Sequence, residues 1–178
     1  MPFLKHQNLL EIFQHNPSRY EPLTQLIQTV MRGESAFTAG ERELIAAYVS
    51  GLNACDYCYG AHQAIAVDLK VEPKLLEAIL TDLATAPIEE RLRPVFALVH
   101  QLTLNPSKTT QTEVDAVLQA GWDEQAIEDI ISVCALFSLM NRLVNGYGLE
   151  LPNQEQLSAM AKGVNTQGYQ AVLSANTE

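Results

Sequence analysis

The chain has 178 residues, of which 47% are apolar and 18% are charged, and these proportions indicate one globular domain with a substantial core. Its formal net charge of −10, without any basic run, argues against binding to nucleic acid or to an anionic membrane surface. The longest mostly apolar stretch, over residues 130–140, is too short to cross a bilayer. The N-terminus lacks the pattern of a signal peptide, and three cysteines do not form a secreted disulfide framework, so we expect a cytoplasmic protein.

The first half of the chain carries helical signals and almost no strand signals. We expect one or two helices before residue 37, with boundaries at Pro17 and Pro22. A Thr-x-x-Glu capping box at 38–41 predicts the start of the next helix. Gly51 and Asn53 predict a break, after which a further helix runs from about Ala54 through Leu69.

The second half continues the helical pattern. Pro73 suits the first turn of a helix, and Pro87 and Pro106 bracket the one that follows. A long apolar helix is expected over 123–148, where glycines end it, and a more polar, docked helix is expected after Pro152. These elements predict a single all-α domain over the whole chain.

Two of the three cysteines and one histidine lie within the nine residues ACDYCYGAH, at 54–62. On a continuous helix, Cys55, Cys58 and His62 would fall within an arc of roughly 60°, with the thiols near each other and Cys58 beside His62. A helix N-terminus, a second thiol and an imidazole each lower the pKa of a thiol, which makes it a better nucleophile. The pattern therefore favours thiol redox chemistry.

Two other interpretations of these residues stay open. They could form half of a metal site, or the cysteines could be purely structural residues of a buried helix. A tetrahedral zinc site needs four ligands, or three and a water molecule. Cys134 and His100 are the only later cysteine and histidine, so the sequence offers few further ligands for such a site. We expect Cys134 to be a small buried apolar residue and His100 to be structural.

The segment ERELIAAYVSGLNACDYCYGAH resembles the signature of the AhpD-like alkylhydroperoxidases, within the carboxymuconolactone decarboxylase superfamily. That signature has a glutamate, a Cys-x-x-Cys twelve residues later, and a histidine four residues after the second cysteine. The matching residues are Glu43, Cys55, Cys58 and His62. The resemblance is to the peroxidase-related branch and extends over about 37–151. We expect one AhpD-like domain over residues 1–178, with its core at about 37–151 and a helical extension at each end.

The resemblance implies a thiol-dependent peroxidase with an antioxidant role. Cys58 would attack the peroxide, Cys55 would resolve the oxidised sulfur to a disulfide, and Glu43 with His62 would form a proton relay. No haem, flavin or metal is implied. An external dithiol or a thioredoxin-like partner would reduce the disulfide, and the chain would form a homo-oligomer, often a trimer or a hexamer. The alternatives are a non-enzymatic redox sensor, a metal-binding module, and lactone chemistry of the decarboxylase kind, whose members generally lack the cysteine pair.

One departure from the best-known members is Tyr57, which stands where they carry a second histidine. A phenol is a poor base at neutral pH, so we expect a shorter proton relay here. We further expect Glu43 to lie within direct or one-water reach of His62, and Cys55 to be the more exposed thiol. Asn141, late in the long helix, is assigned to packing.

Overall fold

The computed structural model describes residues 2–6 and 8–174, and over these residues the protein has nine α-helices and no strand. The prediction of an all-α fold is confirmed. The helices are α1 (Leu9–His15), α2 (Pro17–Arg32), α3 (Ala39–Leu52), α4 (Asp56–Asp68), α5 (Leu75–Thr81), α6 (Arg93–Leu104), α7 (Gln111–Gln119), α8 (Glu124–Tyr147) and α9 (Gln154–Ser174). Short 3-10 turns at Glu90–Leu92 and Pro106–Lys108 flank α6.

Several helix ends follow the predicted signals. The side chain of Thr38 accepts a hydrogen bond from the Glu41 N–H, and the Glu41 carboxylate accepts one from the Thr38 N–H, so the predicted capping box begins α3. Gly148 ends α8 in the left-handed conformation, with φ +68°, as the glycines there predict. Pro73 lies two residues before α5 and not in its first turn.

The predicted boundary at Pro22 is wrong. Pro17 does occupy the first turn of α2, but Pro22 lies inside this helix and is exposed. A proline inside a helix removes one backbone hydrogen bond, and the buried face of α2 outweighs that loss. The residues buried on this face, three or four apart, are Tyr20, Thr24, Ile27 and Met31.

Helix α3 lies at the centre of the fold and contacts α4, α5, α6 and α8. Ala46, Ala47 and Ser50 are 0% exposed, and their small side chains let the neighbouring helices approach α3 closely. Helix α9 packs on α1, α2 and α4, so the last described helix covers the side of the α3–α4 pair. None of the described helices is both long enough and apolar enough to span a membrane.

Candidate active site

A tight reversal between α3 and α4 places the two thiols. Ala54 adopts a left-handed conformation with φ +51°, which is uncommon for a residue other than glycine. Cys55 follows in a non-helical conformation, as the N-cap of α4, and its N–H donates to the Ser50 carbonyl oxygen over 2.9 Å. The predicted helix from about Ala54 therefore begins later, at Asp56, and Cys55 precedes it. Cys58 lies in the first turn.

The two thiols are buried and hydrogen-bonded to each other. Cys55 is 0% exposed and Cys58 is 3% exposed, so the expectation that Cys55 is the more exposed thiol is wrong. The hydrogen bond from the Cys58 thiol, assisted by the Cys58 backbone N–H, lowers the pKa of Cys55 against the opposing effect of burial. The same hydrogen bond, together with burial and the charge of Cys55, raises the pKa of Cys58. Of the two thiols, Cys55 is therefore the one that ionises more readily.

Asn141 connects α8 to this pair and is 2% exposed. Its Nδ2 donates to Ser50 Oγ over 3.0 Å, and its Oδ1 accepts from Asn53 Nδ2 over 2.9 Å. The Asn141 side chain also hydrogen-bonds both thiols and lowers the pKa of each. These hydrogen bonds give Asn141 a role beyond the packing that its sequence context predicts. A lone amide following an apolar run was the available signal, because a buried amide needs polar partners.

Glu43 and His62 meet directly, as predicted. Glu43 Oε2 lies 2.6 Å from His62 Nδ1, and Glu43 is 0% exposed. Burial alone would raise the pKa of Glu43, but the hydrogen bond and charge of His62 and the charge of Arg32 bring the pKa below its ordinary value. An ionised carboxylate only accepts hydrogen bonds, so Nδ1 of His62 is the donor. Nε2 is therefore the ring nitrogen that can exchange a proton with a substrate.

Two further residues complete the environment of the Glu43 carboxylate and were not predicted. Arg32 Nη1, at the end of α2, lies 2.6 Å from Glu43 Oε1. The Tyr169 hydroxyl, from α9, lies 2.8 Å from Oε1 and 2.9 Å from Oε2. Both residues lie outside the 37–151 segment that carries the resemblance. The one sequence signal near Tyr169 is Gly168, a glycine inside a helical pattern.

A cavity of about 280 Å³ opens beside these groups and is lined almost entirely by apolar side chains. Cys58 and His62 are among the described residues that line it, and Cys55 is not. The His62 ring makes an edge contact with Phe137, with ring centroids 4.3 Å apart. Tyr57 also lines the cavity, and burial raises the pKa of its phenol to about 12, so it is not a base at neutral pH. A small apolar molecule entering the cavity would meet the sulfur of Cys58.

The remaining candidates have the environments that their sequence contexts indicate. Cys134 is 4% exposed, and burial raises the pKa of its thiol to about 12, which makes it an unreactive core residue. His100 lies on the exposed face of α6. Within the described residues, no group of three or more His, Cys, Asp or Glu side chains is arranged to hold a metal ion.

The chain is similar to one protein family and to several solved structures. The carboxymuconolactone decarboxylase family model matches residues 17–101. An uncharacterised peroxidase-related protein from a Silicibacter species is 28% identical, with a TM-score of 0.77 over 83% of this chain and 77% of that one. The AhpD core of a peroxidase-related protein from Ralstonia eutropha is 25% identical, with a TM-score of 0.76 over 85% and 78%. These comparisons show an AhpD-like helical fold, and the match to the family model places the chain's similarity with the AhpD-like proteins and carboxymuconolactone decarboxylases.

A more distant structure shares the fold alone. The debrominase Bmp8, in complex with 2,3,4-tribromopyrrole, is 16% identical, with a TM-score of 0.74 over 89% of this chain and 82% of that one. No curated protein matches the sequence.

Proposed function

We propose that the protein is a thiol-dependent peroxidase that reduces peroxides through a dithiol–disulfide cycle of Cys55 and Cys58. The observation that carries the proposal is the pairing of two hydrogen-bonded thiols with a histidine that a buried carboxylate holds in place. One of these thiols opens, with the histidine, on an apolar cavity. The two relatives named as peroxidase-related, at 28% and 25% identity, support the same class.

Cys58 is the sulfur that attacks the peroxide, because it is the one that the cavity reaches. Cys58 lines the cavity, whereas Cys55 is 0% exposed and does not line it among the described residues. Cys55 ionises more readily than Cys58, and the Cys58 thiol donates its hydrogen bond toward that sulfur. In our proposal the reactive form of the pair carries a Cys55 thiolate. Transfer of this proton from Cys58 to Cys55 produces a Cys58 thiolate in the cavity and a neutral Cys55 thiol. Cys55 therefore acts as the base that activates its neighbour.

The following steps balance without a metal or an organic cofactor. The Cys58 thiolate attacks the outer oxygen of a hydroperoxide and the O–O bond breaks. The leaving alkoxide then takes a solvent proton, which His62 Nε2 first accepts and then donates. Cys58 is then a sulfenic acid. The Cys55 thiol attacks this sulfur, water leaves, and the Cys55–Cys58 disulfide forms. Glu43 fixes the orientation of the imidazole throughout.

Two electrons must return to the disulfide after each turnover. We infer that an external dithiol or a thioredoxin-like protein supplies them by thiol–disulfide exchange. We also propose that the chain self-associates, as the resemblance implies. Exposed apolar side chains on α8, Ile131 and Leu139, are candidates for burial between subunits. Light scattering at micromolar concentration would measure the assembly, and a monomeric mass would contradict it.

Single-cysteine variants test the proposed cycle. After a pulse of tert-butyl hydroperoxide, Cys55→Ser is expected to consume about one equivalent, to carry a trappable sulfenic acid on Cys58, and then to stall. The attack should be slower than in the wild type, because a serine hydroxyl cannot take the Cys58 proton. Cys58→Ser is expected to consume none, because a serine hydroxyl cannot enter this cycle. Cys134→Ser is the control, and it should turn over like the wild type.

Mass spectrometry of the trapped proteins decides between the outcomes. A sulfenic acid on Cys55 in Cys58→Ser, with none on Cys58 in the other variant, would reverse the two roles. Wild-type protein that forms the disulfide but does not turn over with a regenerating dithiol would indicate a redox sensor. Thiols that react with peroxide no faster than a free thiol would refute the proposal.

A further inference from the structure

The hydroxyl of Tyr169 lies inside the Glu43–His62 pair and is the feature of this site that family resemblance leaves unexplained. It is 2.8 Å and 2.9 Å from the two Glu43 oxygens and 3.2 Å from His62 Nδ1. Since Nδ1 already donates its hydrogen to Glu43, the phenol proton is directed to the carboxylate. Burial, followed by the charge of Glu43, raises the pKa of Tyr169, so this group remains a donor at all working pH values.

A dedicated local structure holds Tyr169 in place. Gly168 breaks α9 with φ +85°, a backbone conformation that residues with a side chain rarely adopt. The chain then resumes its helix, and the Tyr169 N–H donates to Gln28 Oε1 of α2 over 2.7 Å. The Gln28 side chain thus caps the restarted helix from a neighbouring element. The Arg32 guanidinium lies over the Tyr169 ring, 4.9 Å from its centroid. The Tyr169 hydroxyl is therefore held in place by three residues of α2 and α9, which are Gln28, Arg32 and Gly168.

Three side chains contact the Glu43 carboxylate and together fix its orientation. Oε1 contacts Arg32 and Tyr169, and Oε2 contacts His62 and Tyr169, so the carboxylate cannot rotate without breaking at least one of these contacts. We propose that Tyr169 is a positioning residue of the proton relay, whose hydroxyl fixes the Glu43 carboxylate and through it the orientation of the His62 ring. This inference rests on the proposed function for its kinetic consequence but not for its geometry.

The substitution Tyr169→Phe tests the inference, because it keeps the ring that lines the cavity and removes only the hydroxyl. With tert-butyl hydroperoxide and dithiothreitol, kcat is expected to fall about tenfold or more, the usual effect of losing a hydrogen bond to a charged group. The KM should stay within about twofold, since the cavity wall is unchanged. Tyr48→Phe, which removes a buried hydroxyl from α3 outside the site, is the matched control and should retain wild-type kcat.

A second measurement does not depend on peroxide turnover. The Nδ1 proton of His62, hydrogen-bonded to a buried carboxylate, should give a far-downfield proton NMR signal in the wild type. Loss of the competing phenol donor should shift this signal in Tyr169→Phe, whereas Tyr48→Phe should leave it in place. A wild-type signal position in Tyr169→Phe would overturn the inference, and so would a wild-type kcat. If the wild type shows no turnover, the proposed function fails and the NMR signal alone decides the role of Tyr169.

Discussion

Replacing Glu43 by glutamine should destabilise the protein strongly, and by an amount that depends on pH. Glutamine keeps the size and shape of the side chain but removes the charge that Arg32 and His62 share. Its amide group also presents hydrogens where three donors already point. At least one donor then loses its partner in a site where Glu43 itself is 0% exposed.

The size of this loss in unfolding free energy depends on how deeply Glu43 and Arg32 are buried. Removing one member of a fully buried ion pair destabilises a protein by about 3–5 kcal/mol. The Arg32 side chain is 14% exposed and can regain some water, so we expect Glu43→Gln to lower the free energy of unfolding by about 2–4 kcal/mol at pH 7. For a chain of this size, that corresponds to a fall in the melting temperature of roughly 5–15 °C.

The pH dependence has a definite sign. The pKa of Glu43 in the folded protein lies below its ordinary value of 4.5, so the charge stabilises the fold fully at pH values above 4.5. This contribution is lost as the pH falls below 4.5 and through the folded-state pKa. The difference in unfolding free energy between wild type and Glu43→Gln should therefore be constant near neutrality and shrink in acid.

Urea unfolding followed by circular dichroism at several pH values measures this difference. Glu72→Gln, which neutralises an exposed carboxylate before α5, is the control and should change the free energy of unfolding by less than about 0.5 kcal/mol. A Glu43→Gln protein as stable as the wild type at pH 7 would refute the argument from burial. A difference that stays constant from neutral pH into acid would refute the argument from charge.

Three further predictions concern the thiols, α9 and α8. Asn141→Leu should raise the pKa of Cys55, because the amide hydrogen bond that lowers it is lost; the pH profile of ultraviolet thiolate absorbance, which needs no reagent to reach the buried sulfur, measures this, and an unchanged profile would contradict it. Gly168→Ala should destabilise the protein by about 1–3 kcal/mol, since the left-handed backbone there does not suit a side chain. Gly146→Ala, in α8 where an added Cβ meets no atom within 4 Å, should instead stabilise it by about 0.5–1 kcal/mol, and thermal melts of both glycine variants test the pair.

The helix pair that carries the candidate site could be predicted from local signals. The capping box at 38–41 and the break after Gly51 determine where α3 begins and where the chain turns back. Given two helices folded on each other, the spacing of Glu43 and His62 brings their side chains into contact, and the 2.6 Å distance confirms it. These features depend on residues close in the chain, whose geometry the helix period fixes.

The rest of the site depends on contacts that local signals do not encode. Tyr169 is 126 residues from Glu43 in the chain, and Arg32 reaches the same carboxylate from a helix outside the segment of resemblance. Their approach follows from how α2 and α9 pack on the core, which no short pattern specifies. The prediction that Cys55 is the more exposed thiol fails for a related reason, since proximity to a helix start does not specify which other elements cover a residue. Helix α8, through Asn141, lies against this turn.

The opposite environments of the two sulfurs suit the proposed cycle better than a single activated thiol would. A low pKa at the cavity sulfur would leave a thiolate permanently exposed to any oxidant that enters. The arrangement here raises the pKa of Cys58, the sulfur that lines the cavity, and lowers the pKa of the fully buried Cys55. Asn141 hydrogen-bonds both sulfurs, so the charge can move between them without loss of its amide partner. In the proposed cycle, Cys58 therefore becomes nucleophilic only when its proton passes to Cys55. The same transfer leaves Cys55 as a neutral thiol, and its hydrogen bond with Cys58 keeps it placed to close the disulfide before Cys58 is oxidised beyond the sulfenic acid.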